Sequence, residues 1–550
     1  MSAGALNLLV FREGRRGVSG EALRSRLLEQ IAALTESSCQ DDVLGALLCA
    51  GELECAAADA GCSSAILQEI TDDLAEALAG LKKSSQPDLL KLVSICSLPE
   101  QASISVAEGF AYYALHPLAY ANVVRKLPGL GQVVAVIGIR SIGTTLSAMA
   151  AAGAQKEGKQ TSRITVRPQG HPYNRELRFS GDQQEFITRA LAENADFLVV
   201  DEGPGLSGSS FLAVAEALAE LNVPRQKITV ICGHEPDFGQ FRANNGEQRA
   251  QNFRWVAVDA TPRCPEEATD FIGGGNWRER LYSNQSAWPE SWTSFERLKF
   301  LSSPREGEIR LYKFAGLGDY GAEVFRREQR VAEAEFAAEP RNESDGFISY
   351  PWLSARPMSA ADLNEDVIRR LAEYCAFRAN AFAADSADLH GLQQMAAHNL
   401  QQLGIDVQVS LQLDRPVIVD GRMQPHEWLL TVNCNMLKTD SGSHGDDHFF
   451  PGPTDIAWDL AGAIVEWRMN RQQTHVFLES YCLLSGDNPA GRINDFVVAY
   501  TTFRAAYCLM AANALHGSEE QRRMEKAAAI YRLALEQHAG AAPASFGASS

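Results

Sequence analysis

Two adjacent carboxylates, Asp201 and Glu202, stand directly before a turn of small residues in the stretch "LVVDEGPGLSGSSFLAVAEAL". The turn, here called the hydroxyl turn, consists of Ser207, Gly208, Ser209 and Ser210. A helical pattern follows it, and the free N–H groups and dipole of a helix N-terminus favour a phosphate. Gly208 allows the backbone to approach such an anion closely. The two acids suit sugar hydroxyls or a phosphate-bound Mg²⁺, so the stretch predicts a ribose 5-phosphate site.

Strands and helices alternate around this motif between residues 105 and 240. The runs "QVVAVIGI", "DFLVVDE" and "KITVICGH" are typical of buried strands, and helical patterns such as "DQQEFITRALAENA" separate them. This alternation predicts a parallel sheet with right-handed crossovers. Ligands of open parallel sheets bind outside the carboxyl ends of the strands, which is where the two acids are expected.

The motif "VVDEGPGLSGSS" resembles the phosphoribosyl-diphosphate (PRPP) motif of type I phosphoribosyltransferases. The resemblance implies that Asp201 and Glu202 contact the ribose 2′ and 3′ hydroxyls and orient the sugar for catalysis. It also implies that the hydroxyl turn holds the 5-phosphate. The loop here is one residue longer than the family pattern and contains Pro204.

Two neighbouring stretches resemble other parts of the same family. "VVAVIGIRSIGTTLSA" is similar to its first strand and pyrophosphate loop, which implies that Arg140 and Ser141 contact the diphosphate. "RITVRPQGHPYNRELR" stands where the family has a mobile closing loop, with Arg167, His171 and Arg175 as candidates. The resemblance implies transfer of phosphoribose to an unknown acceptor. Use of the same fold to sense a nucleotide, or a βα turn that binds no phosphate, remain alternatives.

A second candidate site lies downstream. Lys313 belongs to the strand-like "IRLYKF", and Glu328 follows 15 residues later in a helical pattern. A strand lysine and a helix glutamate hold the nucleotide phosphates in kinase-like folds. The alternative is an ordinary surface strand and helix.

The order "VDGRMQPHEWLLT", "LKTD" and "FFPGPTDIAWDLAGAIVEW" resembles aminoglycoside-phosphotransferase-type kinases. The resemblance implies that Asp440 binds a metal and that Asp459 braces the catalytic loop. The catalytic Asp of the family falls on Arg422 and its metal-binding Asn on Glu427. Arg422 cannot act as a base, whereas Glu427 can still bind a metal and Asp420 is a possible substitute base. The resemblance implies use of ATP with Mg²⁺, either in phosphotransfer or in a non-catalytic role.

The loop "KTDSGSHGDDHFFPG" contains four further potential metal ligands, His444, Asp446, Asp447 and His448. Nitrogen and oxygen ligands this close together suit Mg²⁺, Mn²⁺ or Zn²⁺. The alternative is a solvated acidic loop. The spacing alone does not decide between them.

The composition excludes some partners. The chain has 550 residues, with 50 basic against 69 acidic side chains and a net charge of −19. This charge argues against general nucleic-acid binding and against an anionic membrane surface. No apolar run approaches the roughly 18 residues of a membrane span. Eleven scattered cysteines without a CxxC pair are typical of reduced thiols, which predicts a cytoplasmic protein.

The expected fold is α/β. It combines a parallel-sheet phosphoribosyltransferase-like domain with a bilobal, kinase-like α+β domain. The small-molecule partner is expected to be a phosphorylated ribose. The expected divisions are a helical segment (1–100), the phosphoribosyltransferase-like domain (101–240), a linker or cap (241–294), the kinase-like domain (295–538) and a disordered tail (539–550).

Overall fold

The computed structural model describes residues 6–540 except for 36, 82–84, 206, 303–307, 386 and 446. The expected disordered tail lies outside the described residues from position 541 onward. The helices are α1 (Gly20–Ala33), α2 (Gln40–Asp59), α3 (Ala65–Leu78), α4 (Gln86–Ile95), α5 (Glu108–Ala111), α6 (Leu118–Arg125), α7 (Ile142–Lys156), α8 (Gly181–Ala192), α9 (Ser209–Glu220), α10 (Gly246–Ala250), α11 (Arg278–Leu281), α12 (Asp319–Glu333), α13 (Glu365–Ala381), α14 (Leu389–Leu403), α15 (Ala457–Glu466), α16 (Arg471–Ser485), α17 (Ile493–Ala514) and α18 (Glu519–Gly540).

The strands are shorter and fall into two five-stranded sheets and several small pairings. They are β1 (Arg15–Ser19), β2 (Gln101–Ser105), β3 (Val133–Ile139), β4 (Gln160–Val166), β5 (Gln169–His171), β6 (Asn174–Glu176), β7 (Asp196–Val200), β8 (Ile228–Cys232), β9 (Arg254–Ala257), β10 (Ala268–Phe271), β11 (Lys299–Ser302), β12 (Arg310–Phe314), β13 (Arg341–Asn342), β14 (Phe347–Pro351), β15 (Ala355–Pro357), β16 (Pro416–Val417), β17 (Trp428–Thr431), β18 (Met436–Lys438) and β19 (Thr454–Asp455).

The first large sheet is parallel throughout, with the order β4-β3-β7-β8-β9. The valine-rich β3 is buried along almost its whole length, as strands covered by helices on both faces are. The chain leaves β3 for β4 on one side and then crosses to β7 on the other. The point where the direction reverses therefore lies between β3 and β7, and this is where such sheets bind ligands.

The second large sheet is antiparallel, with the order β10-β11-β12-β14-β13. Helix α12 follows β12, the third strand of this sheet along the chain. The expected linker or cap at 241–294 is divided between the two sheets, because β9 completes the parallel sheet and β10 opens the antiparallel one.

The amino-terminal helices do not form a separate unit. Strand β1 pairs antiparallel with β2, so the boundary expected at residue 100 runs through a β-ladder. Leu8 and Val10 are buried in the core built by α13–α18. Asn399 on α14 accepts a hydrogen bond from Leu9 N at 2.8 Å and donates one to Leu9 O at 2.7 Å. The segment before β1 thus belongs to the carboxyl-terminal core.

Two further expectations concerned membrane-spanning helices and disulfide bonds. In the described ranges, no helix combines the length and apolarity needed to cross a bilayer. All eleven cysteines, each of them in the described ranges, are free thiols.

Candidate functional site

The first candidate site, here called the acid-pair site, lies at the carboxyl end of β7. The Tyr120 hydroxyl donates a hydrogen bond of 2.8 Å to the carbonyl oxygen of Asp201. Helix α5 covers Glu202 so closely that a Cβ at Gly109 would lie 2.8 Å from the Glu202 Oε1 atom. A larger residue at this position of α5 would displace the Glu202 carboxylate. The two acids are therefore positioned by packing from both sides.

Burial governs the charge of this pair. It raises the pKa of Asp201 to about 7, against hydrogen bonds from backbone N–H groups that lower it. Burial also raises the pKa of Glu202 to about 8, and the negative charge of Asp201 adds to the effect. The pair thus carries at least one proton near neutral pH unless hydroxyl donors or a cation approach it.

The hydroxyl turn forms the start of α9, as a phosphate cradle would require. Gly208 has a φ of 63°, and a Cβ there would overlap the ring of Phe241. The Ser209 hydroxyl donates a hydrogen bond of 2.6 Å to Pro172 O in the β5–β6 hairpin, and Ser207 Oγ lies 3.0 Å from Ser209 Oγ. Ser210 occupies the next position of α9. The Ser209 hydrogen bond therefore connects the hydroxyl turn to the β5–β6 hairpin, the segment that was expected to form a mobile loop.

The pyrophosphate loop expected after β3 has a strained backbone at Ser141, and its Arg140 shares one counter-ion with Arg167. Ser141 has a φ of 124°, a conformation that non-glycine residues adopt at functional sites when the surroundings enforce it. Arg140 Nη1 lies 3.2 Å from Asp59 Oδ1, and Arg167 pairs with the same carboxylate. Among the described residues, no partner accepts from the buried Arg140 Nε. This loop therefore holds more positive than negative charge.

The structure does not bring all these residues into one open pocket. Arg140, Ser141, Arg167 and Arg175 line a cavity of about 1300 Å³. Asp201 and Glu202 are absent from the described residues that line this cavity. His171 is exposed on the β5–β6 hairpin, and Arg175 donates to Gly170 O within the same hairpin. The acids and the arginines of the expected site therefore do not share the lining of this cavity.

The second candidate site, here called the lysine–aspartate site, joins the antiparallel sheet to the segment after β18. Lys313 Nζ on β12 lies 2.8 Å from Asp440 Oδ1, and Lys299 Nζ on β11 lies 3.0 Å from Asp440 Oδ2. Lys313 also donates to Ser443 Oγ at 2.9 Å. Both oxygens of one buried carboxylate are thus held by ammonium groups.

Glu328 on α12 was expected to pair with Lys313, but it contacts the segment after Asp440 instead. It accepts hydrogen bonds of 2.7 Å from Ser441 Oγ and from Gly442 N. Lys313 has Asp440 as its ion-pair partner, while Glu328 accepts from the two residues that follow Asp440. The helix glutamate therefore fixes the position of Asp440 through its neighbours.

The electrostatics of this site are opposite to those of the acid pair. Burial alone would raise the pKa of Asp440, but Lys299 and Lys313 outweigh it and hold that pKa well below its usual range. Burial lowers the pKa of Lys313, and the Asp440 carboxylate opposes that shift. The charged form of Asp440 is stabilised by its two partners.

The segment expected to be a catalytic loop is braced from within the helical core. Asp459 accepts from Asp420 N at 2.7 Å and from Gly421 N at 2.9 Å. Asp420 is fully buried, receives the Tyr374 hydroxyl and lies 3.3 Å from Lys438 Nζ. Asp420 therefore faces the core and is not positioned as a substitute base.

A cavity of about 110 Å³ surrounds Asp440 and is lined by Glu427 and Arg422. Arg422 stacks over Tyr507, with its guanidinium carbon 5.1 Å from the ring centre. Glu427 accepts from Thr439 Oγ1 at 3.0 Å. The two carboxylates supply hard oxygen donors of the kind that Mg²⁺ takes.

His444, Asp447 and His448 also line this cavity, whereas Asp446 lies outside the described residues. Burial lowers the pKa of His448 to about 4 and holds that of His444 well below its usual range. Burial raises the pKa of Asp447 to about 6. The described residues contain no group of three or more side chains with the geometry of a metal site. The histidines are therefore neutral cavity walls in this conformation.

Comparisons with known proteins give similarity only at the level of solved structures. No protein-family profile matches the sequence, and no curated protein sequence matches it. A choline/ethanolamine kinase family protein from Mesorhizobium loti is 17% identical, covers 50% of this chain and 92% of its own, and has a TM-score of 0.32.

Two further solved structures are similar over about the same share of the chain. The choline kinase LicA from Streptococcus pneumoniae is 12% identical, with 42% of this chain and 89% of that chain covered and a TM-score of 0.30. The macrolide 2'-phosphotransferase MphH from Brachybacterium faecium is 13% identical, with coverages of 47% and 97% and a TM-score of 0.30. Similarity at this level assigns no reaction to the chain.

Sequence reasoning missed Lys299 and Asp59. Lys299 pairs directly with Lys313 in the β11–β12 ladder. The two strand-like runs "FERLKFLSS" and "IRLYKF", which stand close together in the sequence, carried that signal. Asp59 lies on α2, about 80 residues before Arg140, and local patterns carry no signal for such a contact.

Proposed function

We propose that the carboxyl-terminal half of the chain is a small-molecule phosphotransferase that uses a Mg²⁺-bound nucleoside triphosphate. The observation that carries the proposal is the lysine–aspartate site. A third-strand lysine contacts a buried aspartate at 2.8 Å, and the glutamate of the following helix holds the segment that bears this aspartate. Kinase-like enzymes use these residue types on these elements to hold nucleotide phosphates and metal.

Each residue has a defined part in this proposal. Lys313 binds the phosphates, and Asp440 with Glu427 would hold Mg²⁺, which neutralises phosphate charge when bound. Both oxygens of Asp440 are engaged by lysines, so metal binding replaces at least one of these contacts. Asp447 lines the same cavity and interacts with Arg422, and it is the carboxylate proposed to accept the proton of the substrate hydroxyl.

A whole nucleotide needs more room than this cavity offers. Ligand pockets usually measure about 300–1,000 Å³. Residues 272–298 cover the site, and Trp277, Trp292 and Phe295 from this covering segment line the cavity. The covering segment is held to the helical core by Arg278, which donates to Glu520 on α18 at 2.8 Å, and by Glu290, which accepts from Arg504 on α17 at 3.1 Å. Nucleotide binding is therefore proposed to lift it.

Calorimetric titration of the full chain with Mg²⁺ and ATP tests the proposal. Lys313→Met should weaken the affinity at least tenfold, because one charge-assisted contact is worth about 1.5–3 kcal/mol. Lys526→Met, which removes an exposed lysine of α18, is the matched control and should leave the affinity unchanged. ATP turnover that survives in Asp440→Asn would sink the phosphotransfer claim. Tight nucleotide binding without transfer would instead indicate a sensing role.

A second candidate function is PRPP binding at the acid-pair site. Its support is the position of Asp201 and Glu202 at the reversal point of the parallel sheet, next to the strained Ser141 and the charge excess at Arg140. In this candidate the acids orient the ribose, the hydroxyl turn receives the 5-phosphate, and Arg140 neutralises the leaving diphosphate. The reaction would be transfer of phosphoribose to an acceptor.

Thermal denaturation with PRPP and Mg²⁺ tests this candidate. PRPP should raise the Tm by several degrees, because a ligand at 100 times its Kd stabilises by about 2.7 kcal/mol. Asp201→Asn with Glu202→Gln should abolish the shift. Glu185→Gln with Glu193→Gln, which changes two exposed acids of the same domain, should preserve it. An unchanged PRPP shift in the first double variant would refute the role assigned to the acids.

A further inference from the structure

The cavity of about 1300 Å³ lies where three parts of the chain meet, and it is here called the basic cavity. The amino-terminal helices and β1 form one wall, the loops after β3 and β4 form another, and the antiparallel sheet with α12 forms the third. Neither proposed reaction uses this space as a whole. Its volume is more than ten times that of the cavity at Asp440, about 1300 Å³ against about 110 Å³.

Arginines dominate the ionisable lining of the basic cavity and come from every wall. Arg15 and Arg16 project from β1, Arg140 and Arg167 from the parallel-sheet domain, and Arg297 and Arg326 from the antiparallel-sheet side. Acids line it as well, but the arginines outnumber them. In a chain of net charge −19, such a concave cluster attracts multiply charged anions selectively.

The clearest charge excess is at Asp59. This one carboxylate neutralises two guanidinium groups, Arg140 and Arg167, and the buried Nε of Arg140 has no acceptor among the described residues. Arg15 and Arg16 are exposed on the opposite wall. A phosphate or carboxylate in the cavity would supply further negative charge to these guanidinium groups.

The basic cavity is separated from the cavity at Asp440 by a thin partition. Tyr112 and Arg297 line both cavities. The guanidinium carbon of Arg297 lies 5.1 Å from the centre of the Tyr112 ring. Arg297 also donates to Ala111 O at 2.9 Å and to Ala315 O at 3.0 Å, which ties α5 to the end of β12. A ligand in the basic cavity thus lies beside the proposed phosphoryl-transfer site.

We propose that the basic cavity binds the phosphoryl acceptor, and that this acceptor is a small molecule carrying two or more phosphate or carboxylate groups and a free hydroxyl. The inference rests on the proposed phosphotransferase function and names its substrate class. The acceptor hydroxyl passes the Tyr112–Arg297 partition, its oxygen bonds to the γ-phosphorus, and the bond from that phosphorus to the β–γ bridging oxygen breaks. The nucleoside diphosphate leaves, and the hydroxyl proton goes to Asp447.

Titration of the full chain with pyrophosphate, at low salt and without nucleotide, tests the anion site. Arg15→Gln with Arg16→Gln should weaken pyrophosphate binding at least tenfold, and both positions are exposed, so folding is preserved. Arg369→Gln with Arg522→Gln removes the same charge from exposed helix surfaces and should change the affinity less than twofold. No binding to the wild type, or equal weakening in both double variants, would overturn the site.

Phosphoryl transfer from γ-labelled ATP tests the acceptor class, with fructose 1,6-bisphosphate, inositol 1,4,5-trisphosphate and choline as acceptors. Transfer to an anionic acceptor, with a KM for it that rises at least tenfold in Arg15→Gln/Arg16→Gln and a KM for ATP within twofold, supports the inference. Transfer to choline alone, or to none of the three while ATP binds, overturns it and leaves nucleotide binding intact. Pyrophosphate binding in the basic cavity with an ATP affinity unaffected by Lys313→Met would instead defeat the proposed function.

Discussion

The acid-pair site and the lysine–aspartate site place carboxylates in equally buried surroundings and give them opposite electrostatic states. Asp201 and Glu202 lie next to each other, and burial raises the pKa of both. Asp440 has two ammonium partners within 3.0 Å, and its pKa is held well below the usual range. Ionisation of the carboxyl groups therefore destabilises the fold at the acid-pair site, whereas ionisation of Asp440 stabilises it at the lysine–aspartate site.

The difference indicates what each site is built to receive. Arg167 only partly offsets the burial of the acid pair, so hydroxyl donors or a cation from a ligand would complete the site. Asp440 already forms ion pairs with Lys299 and Lys313. If a metal bound Asp440, these two lysines would be free to bind phosphate oxygens. At the acid-pair site, the ligand would bring the hydroxyl donors or the cation. At the lysine–aspartate site, the protein's own lysines would become free to bind the phosphates of the ligand.

The largest expected effect is the loss of the Asp440 charge. Asp440→Asn removes the ion-pair partner shared by the buried Lys313 and the partly buried Lys299, and breaking a buried ion pair from one side costs about 3–5 kcal/mol. Chemical denaturation should show this loss in the free energy of unfolding. Asp366→Asn, which removes an exposed carboxylate paired with Arg369, should change the stability by less than about 0.5 kcal/mol. A small effect at Asp440 would mean that solvent reaches the lysines.

A smaller effect of opposite sign is expected at the acid pair. Both carboxyls have a raised pKa in the folded state, so their contribution to stability is complete below about pH 4 and is lost as pH rises through 7 and 8. Asp201→Asn with Glu202→Gln removes that loss. With EDTA present, the double variant should be more stable than wild type at pH 9 by at least about 2 kcal/mol and not at pH 4, since one pKa unit corresponds to about 1.4 kcal/mol and the partial exposure of both carboxyls reduces the full effect.

The pH dependence of Tm, measured for both proteins from pH 4 to pH 9, checks this prediction. Parallel curves for variant and wild type would mean that the acids already have a cation partner in solution. Glu185→Gln with Glu193→Gln should follow the wild-type curve.

The smallest expected effect concerns the latch between the hydroxyl turn and the β5–β6 hairpin. Ser209→Ala deletes the 2.6 Å hydrogen bond to Pro172 O, which is worth about 1 kcal/mol. Hydrogen exchange of the hairpin amides should accelerate about fivefold, with little change elsewhere. Ser210→Ala is the neighbouring control and should leave the hairpin unchanged. Equal exchange in both variants would exclude Ser209 as the latch.

The parallel sheet was predictable from sequence because its strands are continuous apolar runs separated by helical periodicity. The antiparallel sheet was only partly predictable, since β10 falls in a stretch rich in Trp, Gly and Asn without clear alternation, and β9 of the parallel sheet was missed for the same reason. The sequence also indicated that Lys313, Glu328 and Asp440 act together, but not that Glu328 binds Ser441 and Gly442. Such choices depend on contacts more than 100 residues apart in the chain.

Charge state was the least predictable property. A pair such as Asp201 and Glu202 has the same sequence signature whether it is solvated or buried. The covering by α5 and Tyr120, which raises the pKa values, comes from a segment about 80–95 residues earlier. Asp59, which neutralises two arginines of another domain, is hidden from local patterns for the same reason.

The contact of Leu9 with Asn399 has a consequence for how the molecule is made. The two residues are 390 positions apart, so at roughly 5–20 residues per second the ribosome takes on the order of half a minute to deliver the second after the first. During that interval the apolar Leu8 and Val10 have no core to enter. A fusion tag or a protease cut near the start of the chain would therefore disturb the domain that is synthesised last.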